Sequence, residues 1–228
     1  MIFRRIIWCC GFFFKMLRVV FQTTYGVWKV SRLPKPLISI FGGAQLKKND
    51  RYWRMAHELA AKLTAVDISV LTGGGPGVME AANCGAVPQG EGKGVSMGIG
   101  VKDLGEGTNP CVQEYHELDY FFERKWLLTR YSSGFVVFPG GFGTLDELSE
   151  VLTLIQTKKI PRVPIILIGV EYWDDFMAWV KKEALDHGLI DKKDLQLFIL
   201  TDDIEQAFCL VRDACKIESK NKDKSEAQ

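Results

Sequence analysis

The chain has 228 residues, 47% of them hydrophobic and 25% charged, with a net charge of +1. Such a composition belongs to a globular domain with a sizeable core, not to a disordered chain, and the near-zero charge gives no global reason to expect a nucleic-acid partner. Six cysteines at 9, 10, 84, 111, 209 and 215 form no C-x-x-C pair, and three histidines stand apart. That argues against a structural zinc site or a secreted disulfide framework, and for a reducing, cytoplasmic setting.

Charge is unevenly spread. Arg4, Arg5, Lys15, Arg18, Lys29, Arg32, Lys35, Lys47 and Lys48 all precede Asp50, the first acidic residue. The opening MIFRRIIWCCGFFFKMLRVVF begins like a signal peptide, but Ile6–Phe14 is bounded by Lys15 and no small-residue cleavage site follows. No uncharged run approaches the roughly 18 residues of a spanning helix. Residues 1–35 therefore read as a basic, aromatic-rich amphipathic helix. Packing on its own domain or on a sister subunit is the first reading; contact with an anionic membrane surface is the second.

From Pro36 to Lys216, short β-branched runs alternate with amphipathic segments. Leu37–Phe41 reads as a buried strand ending in Gly42-Gly43. A helix over Asp50–Thr64 follows, with Tyr52, Ala56, Leu59 and Leu63 on one face. Asp67–Leu71 is the next strand and runs into Gly73-Gly74-Gly75-Pro76-Gly77, where Pro76 precedes a helix over Val78–Val87. Gly94–Ile99 reads as a third strand, Tyr120–Tyr131 as a helix, and Gly134–Phe138 as a fourth strand broken by Pro139-Gly140-Gly141-Phe142-Gly143. A helix over Thr144–Lys158, a strand over Val163–Val170, a helix over Tyr172–Ala184, a strand over Leu197–Leu200 and a helix over Asp203–Lys216 complete the domain. Residues 217–228 are polar and are expected to be disordered.

This alternation, with runs buried on both faces, implies a single α/β domain: a Rossmann-like, doubly wound parallel sheet with an extra N-terminal helix. Ligands of such sheets sit beyond the carboxyl ends of the strands. Glycine-rich turns after Phe41, Leu71 and Phe138 all fall at that edge.

Several glycine chemistries fail on inspection. A dinucleotide fingerprint would need glycine or alanine where Val78 and Asp146 stand. A Walker loop fails because Gly92-Lys93 is followed by Gly94. Gly94-Val95-Ser96-Met97-Gly98 fits G-x-S-x-G, but no helix signal follows as a nucleophile elbow requires. The turn Pro139–Gly143 leads directly into a helix, whose amino end offers free N–H donors and partial positive charge to a phosphate. Glu147 lies three residues after Thr144, and two readings stay open. Thr144-x-x-Glu147 is capping-box spacing, in which the carboxylate only satisfies a backbone N–H. Alternatively, a carboxylate about one pitch, roughly 5 Å, from a bound phosphate is placed for glycosidic chemistry at the attached ribose.

Gly73-Gly74-Gly75-Pro76-Gly77-Val78-Met79-Glu80-Ala81-Ala82-Asn83, then Glu123-Arg124-Lys125, then Pro139-Gly140-Gly141-Phe142-Gly143-Thr144-Leu145-Asp146-Glu147 resemble the Lonely Guy (LOG) family. The resemblance spans about Pro36 to Lys216 and is nearest to the longer bacterial branch, often labelled "lysine decarboxylase". It implies a phosphoribohydrolase that cleaves adenosine 5′-monophosphate or its N6-substituted cytokinin relatives to free base and ribose 5-phosphate, without cofactor or metal. By motif position, Arg124 and Glu147 match the family's catalytic pair. Gly140, Gly141, Gly143 and Thr144 match its phosphate loop. Gly42, Gly43, Gly74, Gly75, Glu80 and Lys125 join them as nucleotide-binding candidates. The resemblance also implies a homodimer or larger assembly. Gly42-Gly43-Ala44-Gln45 departs from the family's Gly-Ser-x-Arg turn and so lacks a hydroxyl and a guanidinium. Related folds include non-catalytic carriers of nucleotides or phosphorylated cofactors, which is the alternative function. A pyridoxal-phosphate decarboxylase lacks a recognisable Schiff-base lysine setting.

Overall fold

The computed structural model describes the backbone of residues 2–87, 91–105 and 107–226, and the side chains of 4–87, 91–105 and 107–216. Among these, seven strands pair in parallel: β1 (Leu37–Phe41), β2 (Ser69–Thr72), β3 (Ser96–Val101), β4 (Glu114–Leu118), β5 (Gly134–Val137), β6 (Ile165–Ile168) and β7 (Phe198–Thr201). Their order, β4-β3-β2-β1-β5-β6-β7, runs outward in both directions from the β1/β5 pair. Ile38 registers with Gly134 and Ile40 with Val136 at that pair. This is the doubly wound Rossmann-like architecture, and the reversal between β1 and β5 is where such sheets open a crevice.

Alternation along β1 builds the two layers. Ile38 and Ile40 face one side, where they pack with Val70, Val136 and Ile166 against α2 (Arg51–Thr64), α3 (Val78–Gly85) and α7 (Ile204–Glu226). Leu37 and Phe41 face the other, with Leu71, Met97, Phe135 and Leu167. That layer is covered by α1 (Ile2–Ser31), α4 (Phe121–Arg130), α5 (Phe142–Gln156) and α6 (Val170–Trp179). Trp173 of α6 is wholly buried there, its indole N–H donating to the Ile168 carbonyl at 3.0 Å.

Two differences from the sequence expectations have physical causes. Strand β4, Glu-Tyr-His-Glu-Leu, carries no apolar run because it is an edge strand with only His116 and Leu118 buried. Helix α7 continues to Glu226, so 217–226 are helical where disorder was expected; Glu218, Lys220, Lys222, Lys224 and Glu226 are good helix formers. Residues 227 and 228 lie outside the described residues. The second half of α1 packs on the domain. Along the second half of α1, Val19 and Val30 are buried, Lys29 Nζ donates to the Tyr115 carbonyl at 2.8 Å, and Thr23 donates to Glu123 at 3.0 Å.

Helices α2 and α3 approach closely because Gly85 has no side chain: a Cβ there would collide with the His57 carbonyl oxygen. Gly85→Ala is therefore expected to lower stability by about 2 kcal/mol, within the range for overpacking. Urea denaturation should show a lower midpoint at unchanged slope.

Candidate active site

The glycine turns meet above the carboxyl ends of β1 and β5. Gly43 N–H donates to the Pro139 carbonyl at 2.9 Å, and Val78 N–H, opening α3, donates to the Gly43 carbonyl at 3.1 Å. Only glycine fits at 77: its φ is +69°, and a Cβ would strike the Gly43 carbonyl. Between the turns lies a cavity of about 780 Å³, a volume typical of small-molecule sites. Gly42, Gly43, Arg124, Lys125, Gly140, Gly141, Gly143, Thr144 and Glu147 all line it.

Helix α5 begins at Phe142, with Gly141 as an N-cap that supplies no side-chain hydrogen bond, and its first turn holds no acidic residue. The N–H groups of that turn have no partner within the helix. A Cβ at Gly141 or Gly143 would meet nothing within 4 Å, so this end of the helix is open. The charge, donors and space suit an anion.

The capping-box alternative at Thr144 is not what forms. The helix starts two residues before Thr144, and Glu147 lies in its second turn. Its Oε1 instead accepts from Arg124 Nη2 at 2.9 Å, with each side chain 11% exposed. Arg124 reaches across from α4 beneath Gly73, where a Cβ would collide with the guanidinium. Burial raises the Glu147 carboxyl above the ordinary glutamate value; the Arg124 charge and hydrogen bond oppose that shift without cancelling it.

Other predicted residues are placed differently. Lys125 lines the cavity but is held by Glu150 at 2.7 Å and Asp146 at 3.1 Å. Burial disfavours its charge, and those two carboxylates outweigh burial and raise its pKa. Glu80 pairs with Lys48 at 3.0 Å and is not part of the cavity wall. Nor are Gly74 and Gly75, whose carbonyls both accept from Asn109 Nδ2 at 3.0 Å. Two residues beyond Asn109, Cys111 forms a disulfide with Cys84 of α3. The cysteine spacing pointed away from a disulfide framework; this single tether joins cysteines 27 residues apart that no sequence motif pairs.

Sequence reasoning missed Asp50, Tyr52, Met79, Leu104 and Phe121 on the cavity wall. It also missed the Tyr172 hydroxyl, which donates to the Gly140 carbonyl and fixes the turn from α6. No local pattern marks these residues, because each belongs to an element whose position only the fold determines. Among the described residues, no cluster of His, Cys, Asp or Glu is arranged to hold a metal ion.

A family model described as "Possible lysine decarboxylase" matches residues 79–211. The chain is 33% identical over 168 residues to a probable cytokinin riboside 5′-monophosphate phosphoribohydrolase of Oryza sativa subsp. japonica, covering 73% of each chain. It is also 33% identical over 168 residues to a cytokinin riboside 5′-monophosphate phosphoribohydrolase of Arabidopsis thaliana, covering 71% of this chain and 75% of that one. In fold it is similar to the molybdenum cofactor carrier protein of Chlamydomonas reinhardtii, with a TM-score of 0.57 and 23% identity over 79% of this chain and 98% of that one.

The electrostatics of the pair can be tested directly. On acidification the Glu147 carboxylate should take up its proton at a higher pH than an ordinary glutamate, because its pKa is raised. Arg124→Gln removes the opposing charge and should move that titration further upward. Carboxyl-carbon NMR titration of both proteins checks the direction; a downward move in the variant would refute the assignment.

Proposed function

The chain belongs to the Lonely Guy family, and from that premise we propose that it hydrolyses the N-glycosidic bond of a nucleoside 5′-monophosphate. The substrate class is adenosine 5′-monophosphate or its N6-substituted cytokinin relatives, and the products are free base and ribose 5-phosphate. The observation that carries this reading is the buried Arg124–Glu147 pair at 2.9 Å, sharing one cavity with the open amino end of α5.

In this reading the 5′-phosphate sits on the N–H groups of the first turn of α5, with the Thr144 hydroxyl beside it. The ribose then extends toward Glu147. As the bond from C1′ to the base nitrogen breaks, its electron pair leaves with the base and positive charge develops on the sugar. The Glu147 carboxylate stabilises that charge and accepts a proton from the attacking water, whose oxygen bonds to C1′. The proton finally resides on the departed base. Arg124 keeps Glu147 ionised and oriented. A non-catalytic carrier of a nucleotide or phosphorylated cofactor would use the same cavity but would leave the Arg124–Glu147 pair without a task.

Glu147→Gln keeps the shape of the side chain and removes its charge. Base release from adenosine 5′-monophosphate should fall at least about a hundredfold, with nucleotide binding retained. Full activity in that variant would reject the role. Binding of the nucleotide by the unsubstituted protein without any base release would favour the carrier.

The same reading includes a homodimer or larger assembly. Around the cavity, Phe142 is 92% exposed, and Phe121, Phe122 and Trp126 of α4 are also exposed. A second copy is the proposed cover for this aromatic rim. Sedimentation at micromolar concentration should give at least a dimer, and a monomer would count against it.

A further inference from the structure

Helix α1 has two unlike halves. The second is fastened to the domain: Val19 and Val30 are buried, Arg18 pairs with Asp119 at 2.8 Å, and His116 shares a hydrogen bond with the Gln22 carbonyl at 3.0 Å. Gly26 lets the helix lie close, since a Cβ there would stand 2.6 Å from Leu127 Cδ1. Along the first half, every described residue from Arg4 to Lys15 is exposed. Trp8 is 82% exposed and Phe14 69%.

An apolar stripe runs the whole length of the helix on the side away from the domain. Ile6, Phe13, Leu17, Val20, Phe21 and Trp28 recur at intervals of three, four and seven residues, and all are exposed. Arg4, Lys15, Arg18 and Lys29 share a second face at helical spacing; Arg18 pairs there with Asp119 and Lys29 with Glu114, while Arg4 and Lys15 stand on the exposed first half. No acidic residue occurs anywhere in α1. Five of the 29 basic residues and none of the 28 acidic ones lie in α1, so the remainder of the chain, with 24 against 28, is net negative.

We infer that α1 is a membrane-docking helix, which seats its exposed stripe among the acyl chains of an anionic phospholipid surface while Arg4, Arg5 and Lys15 meet the headgroups. Charge decides between this occupant and a second copy. Two α1 helices laid stripe to stripe bring their free halves together, with Arg4, Arg5 and Lys15 and no carboxylate on either helix, whereas anionic headgroups neutralise those charges. The net-negative remainder is repelled by the same surface, which confines contact to α1. Geometry decides against spanning. By length and composition the helix is apolar enough to cross a bilayer. However, the candidate span Arg4–Ser31 would need the second half of the helix, which lies against the domain, to fill the ~30 Å hydrocarbon core. From Arg18 onward the helix is held by the folded domain. The family match at 79–211 lies wholly outside α1, so the inference is independent of what the cavity does.

The test is co-sedimentation of the full chain with vesicles of phosphatidylcholine, with and without phosphatidylserine. Binding should be at least about tenfold stronger to the anionic vesicles and should weaken with added salt. Phe13→Ser combined with Leu17→Ser, and separately Arg4→Glu combined with Arg5→Glu, should each leave the protein in the supernatant with an unchanged circular-dichroism spectrum. Failure to bind either vesicle, or equal binding to both, would overturn the proposal. So would loss of self-association in the Phe13/Leu17 variant without any vesicle binding by the parent, which would assign the stripe to a second copy. Resistance to alkaline extraction with the segment before Arg18 protected across the bilayer would instead establish a span.

Discussion

Strands β1 and β5 lie side by side, yet the chain leaves them in opposite directions across the sheet. No helix can cover the gap above both carboxyl ends, so a crevice is a necessary product of this winding. The candidate site depends on how that gap is edged. The hydrogen bond from Gly43 to Pro139 and the one from Val78 to Gly43 stitch three turns into a single rim. Glycine at 77 is the condition for that stitching, since any side chain there would push α3 away from the first turn.

Within the rim, the Arg124–Glu147 pair matters to the proposed chemistry more than to stability. Burying two charges costs about as much as their attraction returns, so such a pair adds little to the folding free energy. What it fixes is geometry. The guanidinium can reach the carboxylate only because Gly73 leaves room for it. A carboxylate held by a guanidinium, one turn from an open helix end, is suited to meet developing positive charge.

Much of this was legible in the amino-acid pattern, and the exceptions are instructive. Continuous apolar runs such as Leu37–Phe41 and Ile165–Ile168 announce strands covered on both faces, and glycine clusters after three of them mark the ligand edge. Strand β4 was invisible because an edge strand needs apolar residues on one face only, and His116 serves as one of the two buried positions. The spacing of Thr144 and Glu147 fits capping and catalysis equally; only the helix start at Phe142 separates them. Gly74 and Gly75 carry the most prominent glycine signal in the chain but face Asn109, because a motif reports backbone freedom and not the direction in which it is used. Gly42, Gly43, Gly140, Gly141, Gly143 and Thr144 do converge, since they flank adjacent strands.

The hydrogen bond from Thr23 to Glu123 links the outermost helix to the residue immediately before Arg124. Glu123 is buried, with its remaining oxygen on the Tyr120 N–H, and desolvation raises its pKa despite both partners. A shortened protein beginning at the first strand would expose Leu127, strip that carboxylate of its hydroxyl donor and loosen the start of α4. Kinetic constants measured on such a fragment would describe a differently anchored arginine. The outer helix is therefore part of the skeleton that holds the proposed site, and crystallisation or assay schemes that trim it would alter the very group they aim to study.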